Sequence, residues 1–363
     1  MPPDGNQAVR VTESSPLESV LTVLRCGSCR FAALYFVPFY AAVVQARGTS
    51  FDYTLLSAAY WMVYSLSVEI TNRLADRVED AVNRPERTRL CVRVGWDTLG
   101  RVEVAGWCLV AALDVAWLGL NDSLALAALL ALGIVLGITY SRGPRLARTR
   151  FVGLVVLNLV FGGVFVLGWA AATPFPHGTQ WRLPLSFLPL AGVVGTFVVT
   201  FAGIKDITDR RGDLAVGYRS AFVDMLERNA AVRLWTLAAM PFLLVLAFTL
   251  MGLLPLRLLA LTMFAPLSGY VVLALLHSVT PRERMVVREL FYSYWLVFSS
   301  TALVLFIPRL SLLCAATAAI AYWALATRWL HWTQPVTLSE IGRLPRTTRT
   351  RSATRIDATA WRA

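Results

Sequence analysis

Apolar and polar positions alternate in long blocks along this chain rather than within short ones. Apolar runs fall at about 30–45, 53–70, 102–120, 124–140, 151–172, 185–204, 232–251, 256–277, 290–307 and 312–332. Most approach the roughly 18 or more residues that a helix needs to cross a bilayer. Short polar breaks separate them, such as Asn121-Asp122 and the Gly143-Pro144 turn. The pattern predicts an all-α polytopic membrane protein, a bundle of about nine to ten transmembrane helices.

Composition agrees. The 363 residues are 57% hydrophobic with a mean hydropathy of +0.60, outside the range of ordinary soluble domains. Residues 1–24 are polar, carry Pro2, Pro3 and Pro16, and read as a tail without a secretion-signal pattern. Residues 25–332 form the membrane domain and 333–363 a basic tail expected to be disordered or to lie on the headgroups.

The net charge of +12 would suggest nucleic acid in a soluble protein. Here the arginines sit in loops beside apolar runs, which points to anionic lipid headgroups and not to nucleic acid. Arg84, Arg87, Arg89 and Arg93 follow the second run, and Arg142, Arg145 and Arg148 follow the fourth. The loops after the even-numbered runs are the basic ones. The positive-inside rule therefore puts them, and both termini of a ten-span chain, in the cytoplasm of a cell membrane. The five cysteines form no disulfide framework. Cys26-Gly-Ser-Cys29 is half a zinc site without a preceding strand, and three scattered histidines argue against a histidine metal site.

Two acidic stretches carry the chemistry. Asn72, Asp76 and Asp80, in NRLADRVED, recur every four residues, with Glu69 upstream. On one continuous helix they share a face at the end of the second run. Asp206, Asp209 and Asp213, in KDITDRRGD, share a face at the end of the sixth. Carboxylates so close repel unless a cation lies between them, and all-oxygen donors suit Mg²⁺, which usually also binds substrate phosphates. Solvated carboxylates at helix ends are the plainer reading of any single one, but six residues on two matching faces favour a site.

These motifs resemble the UbiA superfamily of intramembrane prenyltransferases. Its first signature is matched by Asn72, Asp76 and Asp80, and its second by Asp206, Asp209 and Asp213. The Lys205-led form of the second is similar to that of homogentisate prenyltransferases. Tyr140, Ser141, Pro144, Arg145 and Arg148 match its Tyr-Ser-Pro-Pro-like loop, and Asn83-Arg84-Pro85 resembles the triplet after the first signature. Arg73 replaces an aspartate of the first signature, and a tenth span lies outside the usual nine.

The resemblance implies helices around a central cavity. There Mg²⁺, held by Asn72, Asp76, Asp80, Asp209 and Asp213, clamps a prenyl diphosphate. Asp76, Asp80, Asp209 and Asp213 are then catalytic, with Asn72, Tyr140, Arg145, Arg148, Asn158, Lys205 and Asp206 contacting substrate. Asn158 has the alternative of bonding a neighbouring helix, and Arg145 and Arg148 that of headgroup anchoring. Glu69 either accepts a proton or pairs with Arg73 at i+4. The implied reaction is Mg²⁺-dependent prenyl transfer to an aromatic or other lipophilic acceptor. The alternatives are a terpene cyclase on the same fold, which needs no acceptor, and a non-catalytic membrane carrier or scaffold.

Overall fold

The computed structural model describes residues 16–121, 123–146, 152–173, 185–218, 230–278 and 280–344. Among them every regular element is helical, and each of the ten apolar runs coincides with a helix. In order these are α1 (Pro16–Cys26), α2 (Ala32–Arg47), α3 (Phe51–Ala75), α4 (Arg77–Asn83) and α5 (Pro85–Val94). Then come α6 (Trp96–Leu120), α7 (Leu124–Thr139), α8 (Val152–Ala172), α9 (Phe187–Ala215) and α10 (Ala230–Leu250). A 3₁₀ stretch, Leu256–Phe264, leads into α11 (Ala265–His277), followed by α12 (Pro281–Phe306), α13 (Leu310–Trp329) and α14 (Leu338–Arg343).

Among the described residues six helical segments are long and apolar enough to cross a membrane, and shorter apolar helices lie at Leu124–Thr139, Gly162–Ala172 and Phe187–Thr200. The chain is a polytopic α-helical membrane protein.

Helix α2 is the hub, packing against α3, α8, α12 and α13. It is apolar on nearly every side, as a helix surrounded by other helices must be. Gly168 of α8 lets the two backbones touch, since a Cβ there would overlap the main chain of Phe39. Between α2 and α3 lies an aromatic layer. Tyr35 stacks on Trp61 at 5.3 Å, and Phe39 meets Trp61 and Trp117 edge-on at 5.6 and 5.3 Å.

Three expectations change. First, the helix carrying the first acidic motif is not continuous. Asp76 leaves helical geometry (φ −102°, ψ 31°) between α3 and α4, so Asn72 and Asp80 stand on different helices. The break lets α4 lean across α9, where Gly212 admits it. Second, the basic loop after it is a short helix. Arg84 breaks from α4 (φ −145°, ψ 60°) where it precedes Pro85, which then starts α5 at its first position. Third, both presumed tails contain helix. Helix α1 packs on α5, and residues 333–344 run back along the bundle instead of leaving it. Most of the proline-rich 173–184 loop, Arg148, and the residues before 16 and after 344 lie outside the described residues.

Candidate functional site

The two acidic motifs meet because α4 crosses α9. Asn83 fastens the crossing. Its Nδ2 donates to the Asp209 carbonyl and its Oδ1 accepts from the Gly212 amide, each at 2.7 Å. Any side chain at Gly212 would meet Asn83 and the Glu79 carbonyl, the latter 2.5 Å from its Cβ. The glycine of KDITDRRGD is therefore required by a close approach.

Around the crossing is one strongly polar cavity. Asn72, Asp76 and Asp80 line it from the first motif, Asp209 and Asp213 from the second, and Tyr140 and Arg145 from the intervening loop. Ser141 Oγ donates to Asn72 Oδ1, and Arg145 Nη2 reaches the Ala75 carbonyl at 3.3 Å, which ties that loop to the end of α3. Lys205 and Asp206 lie on α9 and Asn158 on α8, with side chains outside the description.

Arginines dominate the floor. Asp80, buried, takes Arg73 Nη1 on Oδ2 at 3.1 Å, and Arg84 Nη1 at 3.4 Å and Arg87 Nη2 on Oδ1. Arg73 also holds Glu69 at 2.5 Å, forming the i+4 pair. Asp209 takes Arg84 Nη2 on one oxygen and Arg288 Nη1 on the other at 3.3 Å. Next to Arg288, Glu289 binds Arg30 Nη1 at 2.5 Å.

The electrostatics follow from this crowding. Burial alone would raise the Asp80 carboxyl, but Arg87, Arg73 and Arg84 outweigh it and hold Asp80 well below the usual carboxylate range. Burial, followed by repulsion from Arg73 and Arg84, lowers Arg87 to about 9. Arg87 stays charged at neutral pH, yet its site would be eased by a further anion. Arg84 Nε and Arg87 Nε are also buried without a hydrogen-bond acceptor. An anion entering the cavity would offset the positive charge concentrated there.

The sequence pointed to the acids better than to their partners. Arg84 and Arg87 read as loop charges, and Arg288, Glu289, Tyr292 and Trp332 were not singled out, although all six line the cavity. The signal of the four charged ones is charge at the edge of apolar runs, as in Arg288-Glu289 before the ninth; Tyr292 and Trp332 lie inside apolar runs and give none.

As to metal, no three of the described His, Cys, Asp and Glu side chains stand close enough to hold an ion by themselves. Mg²⁺ does not require that, since it is commonly bound by one or two carboxylates together with water and substrate phosphate. The donor set of the cavity, carboxylates and an amide with no sulfur or imidazole ligand, fits such a site. Asp80 and Asp209 have both oxygens on guanidiniums, so an ion held by them would share those oxygens with the arginines.

A family model described as the UbiA prenyltransferase family matches residues 35–294. Among solved structures, a UbiA homolog from Archaeoglobus fulgidus bound to GPP and Mg²⁺ is similar in fold, with a TM-score of 0.54 and 14% identity over 83% of this chain and 99% of that one. The same homolog bound to DMAPP and Mg²⁺ gives 0.53 and 13%, again over 83% and 99%. A structure of digeranylgeranylglyceryl phosphate synthase gives 0.52 and 14% over 84% and 99%. No curated protein matches the chain.

Proposed function

Because this chain belongs to the UbiA prenyltransferase family, we propose that its arginine-floored cavity ionises a prenyl diphosphate in the presence of Mg²⁺ and passes the prenyl group to an aromatic or other lipophilic acceptor. The observation that carries this reading is the junction of both acidic motifs over a cluster of buried guanidiniums.

Arg84, Arg87, Arg73 and Arg288 bind the diphosphate and neutralise the charge that builds on it as the allylic C–O bond breaks. The electron pair of that bond leaves with the diphosphate. Phe31, Tyr140 and Tyr292, which line the same cavity, offer ring faces to the allylic cation and help to exclude water. The acceptor's nucleophilic atom then bonds to the allylic carbon and loses its proton. Asn72, Asp76, Asp80, Asp209 and Asp213 would hold Mg²⁺, which would supply Lewis-acid stabilisation of the leaving diphosphate. Asp80 and Asp209 also hold the arginines. Tyr140, Arg145, Arg148, Asn158, Lys205 and Asp206 complete the proposed substrate-binding set. The positive-inside rule places the cavity mouth on the cytoplasmic side of the membrane.

The test is diphosphate release by the purified protein in nanodiscs, given prenyl diphosphates of several lengths with Mg²⁺, with and without phenolic acceptors. Release that depends on the acceptor, with a prenylated product, is the expected result. A hydrocarbon formed without acceptor would replace transfer by cyclisation. No release from any prenyl diphosphate would overturn the reading.

A further inference from the structure

One indole lies against both halves of the arginine cluster. Trp332 follows α13, beyond the residues matched by the family model, and lines the same cavity as Asp80 and Asp209. The Arg87 guanidinium sits 5.4 Å from its ring centroid and that of Arg288 sits 5.8 Å away. Arg87 is a partner of Asp80 and Arg288 a partner of Asp209, so this ring spans the two acidic motifs.

The segment that carries it is fastened beyond the ring. Before Trp332, the buried His331 packs beside Glu289 and turns its Nδ1 onto Thr333 Oγ1 at 2.9 Å, a bond within the segment itself. After it, Arg282 forks onto Glu340 at 2.8 and 3.1 Å and donates to the Gln334 carbonyl at 3.3 Å. Tyr270 Oη donates to the Ile341 carbonyl. The chain after the last apolar helix is thus strapped to α11 and α12, across the cavity's polar end.

We propose that this strap is a built part of the substrate site and that Trp332 is a positioning residue for its diphosphate end. The proposal rests on the prenyl-diphosphate reading of the cavity. An arginine side chain has many rotamers, and a ring face attracts a guanidinium while restricting where it goes. Held by the indole as well as by Asp80 and Asp209, Arg87 and Arg288 are set in place before substrate arrives. Without the ring they keep their carboxylates but lose that restraint, and diphosphate must order them on binding. The competing account is that Trp332 is an interfacial anchor, as tryptophans at membrane boundaries often are. An anchor has no reason to influence diphosphate affinity.

The experiment measures binding of inorganic diphosphate and geranyl diphosphate to the full chain in nanodiscs with Mg²⁺, by calorimetry, alongside steady-state kinetics. Trp332→Ala is expected to weaken both ligands by roughly tenfold, with the loss in KM more than in kcat. Trp332→Phe should stay within about threefold, because a ring face remains. Arg282→Glu should release the strap and weaken binding in the same direction, and the charge-reversed pair Arg282→Glu with Glu340→Arg should recover it. Trp332→Ala with wild-type affinity and KM would overturn the proposal and leave the anchor. If Trp332→Ala does not fold, wild-type affinity in Arg282→Glu overturns it instead. A wild-type chain that binds neither ligand would overturn the prenyl-diphosphate reading and this proposal together. A wild-type chain that binds both, with variants indistinguishable from it, would overturn this proposal alone.

Discussion

Asn83 and Gly212 join the two acidic motifs. The Asn83 amide accepts from Gly212 N–H and donates to the Asp209 carbonyl, at 2.7 Å in both cases, and Gly212 has no Cβ to hold α4 away. The site exists only while these helices cross at this distance. Gly212→Ala is expected to push α4 off α9, costing about 1–3 kcal/mol of stability and most of the activity. Asn83→Ala should cost about 1–3 kcal/mol, since it removes both hydrogen bonds across the crossing. Thermal unfolding paired with turnover checks both, and a fully active Gly212→Ala variant would show that the crossing tolerates a side chain.

Asp76 and Asp80, four residues apart, should fail differently. Asp80 neutralises buried Arg73, Arg84 and Arg87, so Asp80→Asn leaves positive charge uncompensated and is expected to cost about 3–5 kcal/mol of stability. Asp76→Asn should raise the Mg²⁺ requirement and lower turnover by on the order of a hundredfold. A wild-type unfolding temperature for Asp80→Asn, or a wild-type Mg²⁺ requirement for Asp76→Asn, would contradict these roles.

Metal removal follows from the same division. Chelation should abolish turnover, and Mg²⁺ should restore it. The unfolding temperature should change little, because the arginines already compensate Asp80 and Asp209. Full turnover in EDTA would remove Mg²⁺ from the mechanism.

His331 gives a pH dependence. Burial first, then repulsion from Arg30, lowers it to about 3 from an ordinary 6.5. Below pH 6.5 the unfolded chain takes up a proton that the folded chain refuses, so stability should be flat above 6.5 and fall as pH drops toward 3. The fall is at most about 1.4 kcal/mol per pH unit. Between pH 6.5 and 5 few carboxylates titrate, which isolates the effect. Unfolding temperatures of the wild type and His331→Gln over that interval check it, with the variant expected to be the flatter of the two.

Topology is testable without activity. Reporter fusions at Ala363 and within 173–184 should report opposite sides of the membrane, the tail cytoplasmic, because the arginine-rich loops share one side.

Much of this was legible along the chain. Bilayer thickness sets the length of each apolar run, so all ten helix positions can be read without any contact being known. The acidic motifs were legible too, because their spacing follows the helical period. Both are local properties, determined by residues within a few turns of one another. What faces each acid is not local. Arg84 and Asp209 are 125 residues apart and Arg288 and Asp209 are 79 apart. No periodicity records which helices will cross. In a chain with this many arginines, those that anchor to headgroups and those buried on carboxylates are spelled alike. Only packing separated them. It bent the first motif at Asp76, pressed α4 onto α9 at Gly212, and turned a basic tail back so that Trp332 came to rest on the arginines of both motifs. The side chains that make the cavity were chosen by where apolar helices fit together, a tertiary property that hydropathy alone does not carry.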